Sequence, residues 1–334
     1  MATFRLRSAV HRHEGQRGHR GAGRTSLLLV ALMMVASSLA AQEPARTADI
    51  RARGLSATDF PRLSRLAPNV YAYEQIDPTK RTVTVNNLIV VTSEGVLVAD
   101  GQGTVANTTR LVQDIATLTP QPIRYVIVGS EHGDHRGGDA AFPASATFIA
   151  HSFSKNNLQR QADAAGARSG GARVVVPTET VPDRRVLTLG GTEIQILFLG
   201  RAHTGGDLVV FLPRERIVFT SEVFSNRIFP SMANGYPTEW IETLRRVEAL
   251  PADIFVPAHG FIDTASILRE ELVNYRRAIE TIVSEGTRLH DAHVAVESAT
   301  ASANFGIFDN WTRAANNAFQ ALNRVYVERD GGLR

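Results

Sequence analysis

A continuous apolar run, Ile123–Val128, opens directly into Gly129-Ser130-Glu131-His132-Gly133-Asp134-His135-Arg136-Gly137-Gly138. A strand without polar alternation has to be covered on both faces, so the chain must provide a layer on each side of its sheet. Short β-branched runs at 69–75, 82–91 and 96–99 precede it, followed by a helical pattern over 106–118 with Leu111, Ile115 and Leu118 on one face. The second half repeats the alternation. Strands are expected at 147–150, 173–176, 208–212, 217–219 and 254–256, with helices near 154–165 and 238–250. A Gly190-Gly191 turn predicts a hairpin between 186–189 and 193–198. From residue 265 the apolar residues keep helical spacing, as in Leu268, Leu272, Tyr275, Ile279 and Ile282. The reading is an α/β domain over 67–264 with a helical extension at 265–334.

The chain carries 36 Lys+Arg against 33 Asp+Glu, but the excess is local. Residues 1–40 hold six Arg against one acid, leaving 30 basic and 32 acidic residues for everything after. A slightly acidic remainder argues against nucleic acid as a partner. The Arg-bearing start, the apolar stretch SLLLVALMMVASSLA and the small residues before Gln42 read as a signal peptide over 1–41, implying a periplasmic or secreted protein. A transmembrane anchor is the competing reading of that stretch, and no later run approaches spanning length. Residues 42–66, polar and rich in Arg and Ala, read as a poorly ordered lead-in.

There is no cysteine. Disulfides, thiolate metal sites and Cys nucleophiles are thereby excluded, so any metal must sit on imidazole and carboxylate. Four histidines, His132, His135, His203 and His259, follow expected strands and lie beside Gly or Ala, whereas His151, His290 and His293 read as structural. Imidazole nitrogens and carboxylate oxygens suit Zn²⁺ when thiolates are absent. Loops at strand ends are where α/β scaffolds present reactive groups.

With these residues in order, the sequence resembles the metallo-β-lactamase superfamily. The resemblance rests on His132-x-Asp134-His135-x-Gly137-Gly138, Gly200-Arg201-Ala202-His203-Thr204, Val218 to Phe224 and Val256-Pro257-Ala258-His259-Gly260, and spans roughly 70–262. It implies a four-layer αββα sandwich with a metal site at one edge. Two positions depart from the family pattern: Ser130 stands where the first His of HxHxDH belongs, and Glu222 where a bridging Asp or Cys is usual. One tight zinc is therefore expected at Asp134, His135 and His259 within reach of Glu222, and a second ion at His132 and His203 should be weak or absent. The implied chemistry is metal-assisted hydrolysis of an amide or ester-like carbonyl in a small-molecule substrate, a β-lactam among the candidates. The cation lowers the pKa of its water toward ~7 and polarises the carbonyl. A periplasmic lactonase or thioesterase, or a non-catalytic metal-binding member, are the alternatives.

Asp134 is assigned the orientation of the water as well as ligation. Asn234 reads either as a donor to a developing oxyanion or as part of an Asn-Gly turn. Asp100 is expected behind a ligand or in a solvated turn, and Ser130 as a donor to a metal water or a small turn residue. Arg136 and Arg227 are candidate grips for a substrate carboxylate or ordinary surface residues. The loops 76–82 and 159–172 are expected to shape the pocket, the second being mobile. Oligomeric state is open.

Overall fold

Period-two alternation sorts the strand residues to two faces, and that sorting builds the layers. In the computed structural model, which describes residues 45–166 and 173–333, β1 (Arg62–Ala67), β2 (Val70–Ile76), β3 (Thr84–Thr92), β4 (Gly95–Ala99), β5 (Ile123–Val128), β6 (Thr147–Ala150) and β7 (Glu179–Thr180) make one sheet in that order. A second sheet has the order β12-β11-β10-β9-β8, from β8 (Arg184–Leu189), β9 (Thr192–Leu197), β10 (Val209–Leu212), β11 (Ile217–Phe219) and β12 (Ile254–Val256). Leu88, Val90, Leu97, Ala99 and Ile127 of the first sheet meet Ile194, Ile196, Val210, Leu212 and Phe219 of the second in a shared core. Their alternating neighbours point outward. Ile89, Val96, Val98, Val126 and Val128 pack under Leu111 of α1 (Val105–Leu118) and Leu158, which lies beyond the short α2 (Gly133–Arg136) on α3 (Ser152–Gly166).

On the other side, Val209, Phe211, Val218 and Phe255 pack under the remaining helices. These are α4 (Pro237–Glu248), α5 (Ala265–Asp291), α6 (Val296–Ser302) and α7 (Ala314–Arg329). Pro237 at the first turn pre-sets the backbone for α4, and Trp240, Leu244 and Val247 then fall on its buried face. Trp240 is fully buried, so truncating it to Ala would cost roughly 3–5 kcal/mol. The result is the expected four-layer αββα sandwich. The tail is part of it: Tyr275 and Ile282 of α5 and Leu322 and Val325 of α7 lie in the same core as Trp240.

Three local expectations change. The lead-in 42–66 is expected to be poorly ordered, yet in its described part Ala48, Ile50 and Phe60 are buried, Arg53 pairs with Asp263 at 2.7 Å, and Arg62–Ala67 pairs antiparallel with β2. Ion pairs and an edge strand with an exposed face carry too little apolar periodicity to be seen in sequence. No strand forms over 173–176. Val174 and Val175 pack against the outer core, but Pro177 lacks an N–H to continue a ladder, and only Glu179–Thr180 pairs with β6. The expected loop 159–172 is helix as far as Gly166, and its remainder, 167–172, lies outside the described residues, as does the expected signal 1–41. Among the described residues no helix is long and apolar enough to cross a membrane.

Candidate metal centre

β4 runs parallel to β5 and β11 parallel to β12, so the C-terminal ends of two strand pairs open on the same edge of the sandwich. Asp100 follows β4, His132 to His135 follow β5, Glu222 follows β11 and His259 follows β12. His203 arrives on the connection from β9 to β10. The turn after β5 needs its glycine: a Cβ on Gly129 would lie 2.7 Å from the Cβ of Ser221. Gly260, directly after His259, has φ +81 and packs on the Asn226 carbonyl, a conformation open to glycine.

The six expected ligands converge in two groups that share Glu222. Asp134, His135, Glu222 and His259 each offer an atom within 4.8 Å of the others, and so do His132, His203 and Glu222. Glu222 Oε2 is 2.9 Å from His132 Nδ1, while Oε1 is 3.1 Å from His203 Nε2 and 3.4 Å from His259 Nε2. His135 Nε2 and His259 Nε2 face each other at 3.2 Å. His259 Nδ1 donates to the Thr84 carbonyl at 2.8 Å, which leaves its Nε2 lone pair aimed into the group. A divalent cation fits this arrangement, because four N/O donors converge with the partner nitrogen of one imidazole already committed to the backbone.

The charges are tightly interdependent. Burial by itself lowers the pKa of His132 and His135, but Glu222 and the neighbouring acids together outweigh it and raise them to about 9 and about 10. Burial in turn opposes ionisation of Glu222, and His203, His132 and His135 together hold it well below the ordinary carboxylate range. Asp134 is likewise held low against burial, with His135 the leading cause.

Around the ligands, Asp100 is fully buried at φ +60 and acts as a knot. Its Oδ1 accepts from Gly129 N at 2.6 Å, its Oδ2 accepts from Ser221 Oγ at 2.6 Å, and Oδ2 lies 3.1 Å from His135 Nδ1. The solvated-turn alternative for Asp100 is thereby excluded. Ser130 is also fully buried and donates to Glu222 Oε2 at 2.5 Å, so its hydroxyl engages the shared carboxylate. Asn234 is exposed at the rim with Nδ2 3.3 Å from His132 Nε2; an oxyanion role would require its amide to turn away from that ring.

Neither candidate arginine is available as a grip. Arg136 donates from Nε to the Glu131 carbonyl at 3.0 Å and from its terminal nitrogen to Gln161, tying the turn to α3. Arg227 pairs with the buried Glu271 and lies over the Trp311 ring. His151 stacks on Phe198 and caps α3 by accepting from Phe153 N; His290 pairs with Asp330 at the surface, and His293 sits in a turn. Sequence reasoning missed Lys80 of the 76–82 loop. Its Nζ is 2.5 Å from Asp134 Oδ2 and 3.2 Å from Asp77 Oδ2. These two acids hold it protonated against its burial. A lone Lys in a polar loop carries no spacing that could have marked it.

Comparison with known proteins follows the same lines. The sequence model described as Metallo-beta-lactamase superfamily matches residues 83–259. The chain belongs to that superfamily. It is 25% identical over 141 residues to a 2,4-dinitroanisole O-demethylase subunit alpha of Nocardioides sp. (strain JS1661), covering 42% of this chain and 41% of that protein. The matched stretch thus spans about two fifths of that relative's length. A metallo-beta-lactamase type 2 of Bacillus cereus is 21% identical over 221 residues, covering 63% of this chain and 80% of the relative. Among solved structures, a metallo-beta-lactamase from Pontibacter korlensis is similar in fold with a TM-score of 0.55 at 22% identity, covering 65% of this chain and 99% of the other. Membership implies a metal, and the two groups sharing Glu222 are the residues that could hold it.

Proposed function

We propose that this chain is an exported zinc-dependent hydrolase that opens an amide or ester-like bond in a small molecule. The observation that carries the reading is the four-residue group Asp134, His135, Glu222 and His259, whose donors converge while His259 is fixed from behind by Thr84. One ion is held tightly there. A second, at His132, His203 and Glu222, is weak or absent, because Ser130 offers a hydroxyl on Glu222 in place of a third imidazole. A bound divalent ion supplies Lewis-acid polarisation of the scissile carbonyl and makes a water nucleophilic near neutral pH.

The chain's own residues do the rest. Asp134 Oδ2, facing both His259 and Lys80, orients a water by accepting its hydrogen bond. Lys80 keeps that carboxylate ionised. Asp100 holds His135 in place from behind, and Asn234 steadies His132 at the rim. A β-lactam is one candidate substrate, supported by the likeness to proteins named metallo-beta-lactamases. The relative named as an O-demethylase subunit supports a wider substrate range.

The test begins with metal content of the purified protein, followed by turnover of a chromogenic cephalosporin against lactone and thioester panels. One zinc per chain with turnover of any panel member is expected. Failure to bind zinc at micromolar concentration overturns the reading. Export over residues 1–41 is checked by the N-terminal mass of protein recovered from the periplasm, expected to begin near Gln42.

A further inference from the structure

The cavity of about 110 Å³ over the candidate metal centre has a second wall, to which Tyr275, Arg313 and Asn317 come from outside the span that the family sequence model matches. Val83, Ile228, Phe229 and Tyr275 give it an apolar side, and Arg313 and Asn317 close it from the start of α7. The acids in the cavity are already answered: Lys80 lies on Asp134, and imidazoles surround Glu222. Arg313 is different. Among the described residues no hydrogen bond or ion pair engages its guanidinium, although it lines the cavity.

Arg313 also breaks two local rules at once. It is the N-cap of α7 without a side-chain cap hydrogen bond, at a position where Ser, Thr, Asp or Asn would satisfy a free N–H. Its φ of +68 is in the left-handed region, which favours Gly or Asn. The neighbouring chain holds it there: Phe229 N donates to Thr312 O at 2.9 Å and Thr312 N to Arg227 O at 3.2 Å. A residue poor for both cap and backbone, pinned to the wall of a cavity with its charge unpaired, marks a functional position.

We propose that Arg313 anchors a carboxylate of the substrate, whose apolar body lies along Val83, Ile228 and Phe229 and whose scissile bond faces Asp134 and Glu222. The guanidinium fork matches the two oxygens of a carboxylate, and the partly enclosed cavity strengthens the pair. This makes Arg313 a specificity-determining residue contributed by the helical tail, and it rests on the hydrolase reading above.

The test is equilibrium binding of butanoate against its neutral near-isostere butanamide to the full-length protein as purified, by NMR titration, repeated with chelator so that direct contact of carboxylate with metal is separated. Wild type should prefer butanoate by about tenfold, the size expected of one partly exposed charge-assisted pair. Arg313→Gln should bring the two ligands to parity, and Arg313→Lys should keep part of the preference. Arg313→Asn, which suits the left-handed backbone, repeats the test should Arg313→Gln fold poorly. Absence of a preference in wild type, or a preference surviving in the Gln and Asn variants, overturns the proposal. Failure of the hydrolase reading would show instead as missing zinc or missing turnover, with the carboxylate preference intact.

Discussion

Glu222→Gln separates the charge at the centre of the site from its shape. In the metal-free protein Glu222 is the leading attraction that raises His132 to about 9 and His135 to about 10. For His132, a rise from the ordinary 6.5 to about 9 corresponds to about 3 kcal/mol of differential interaction. The amide has nearly the carboxylate's volume but no charge, and burial still disfavours the imidazolium. Both histidines in Glu222→Gln should therefore titrate lower than in wild type, His135 less so because Asp100 remains behind it. Because the folded-state pKa is raised in wild type, the stabilisation is fully present below pH 6.5 and is lost as pH rises through 9 to 10. Metal-free wild type should lose stability across that window in urea melts, whereas Glu222→Gln should start lower and lose less across it. The assay is an NMR titration of the imidazole Cε1–H signals alongside those melts. A His132 that still titrates near 9 in the variant would refute the reasoning, assigning the shift to Asp207 and Asp134 instead.

Asp134→Ala or His259→Ala should reduce metal content from about one per chain toward none, read by elemental analysis after dialysis. Ser130→His should move stoichiometry toward two; an unchanged value would show that Ser130 does not occupy the first-ligand position. Asp100→Asn retains an acceptor for Gly129 N but removes the charge behind His135, and should weaken zinc by about 10–100-fold in a chelator competition. Gly129→Ala should lower the melting temperature, since the added Cβ meets Ser221 at 2.7 Å; an unchanged melt would mean that the turn yields freely.

Much of the layering was legible because burial follows period. Ile123–Val128 read as covered on both faces, and Val126 and Ile127 do face different cores. The ligand set was legible because imidazole and carboxylate stood at strand ends beside glycines. The polar segment before β2 was not, since Arg53 with Asp263 and Arg62 with Glu74 are pairings across long sequence separations that leave no local pattern. Arg136 and Arg227 show the same limit from the other side: their identity suggested a grip, and only Gln161 and Glu271 show them to be engaged.

The sequence by itself determined most of the strands and helices, the absence of thiolate chemistry and the residues able to ligate a metal, because each depends on residue type and local spacing. The tertiary structure decided which of those residues share Glu222, which cations remain unpaired among the described residues and what the tail packs against. Lys80 and Arg313 are 233 residues apart, yet they line one cavity only because β2, β3 and α7 are packed around the same edge. Chain packing sets such distances, and no local pattern encodes them.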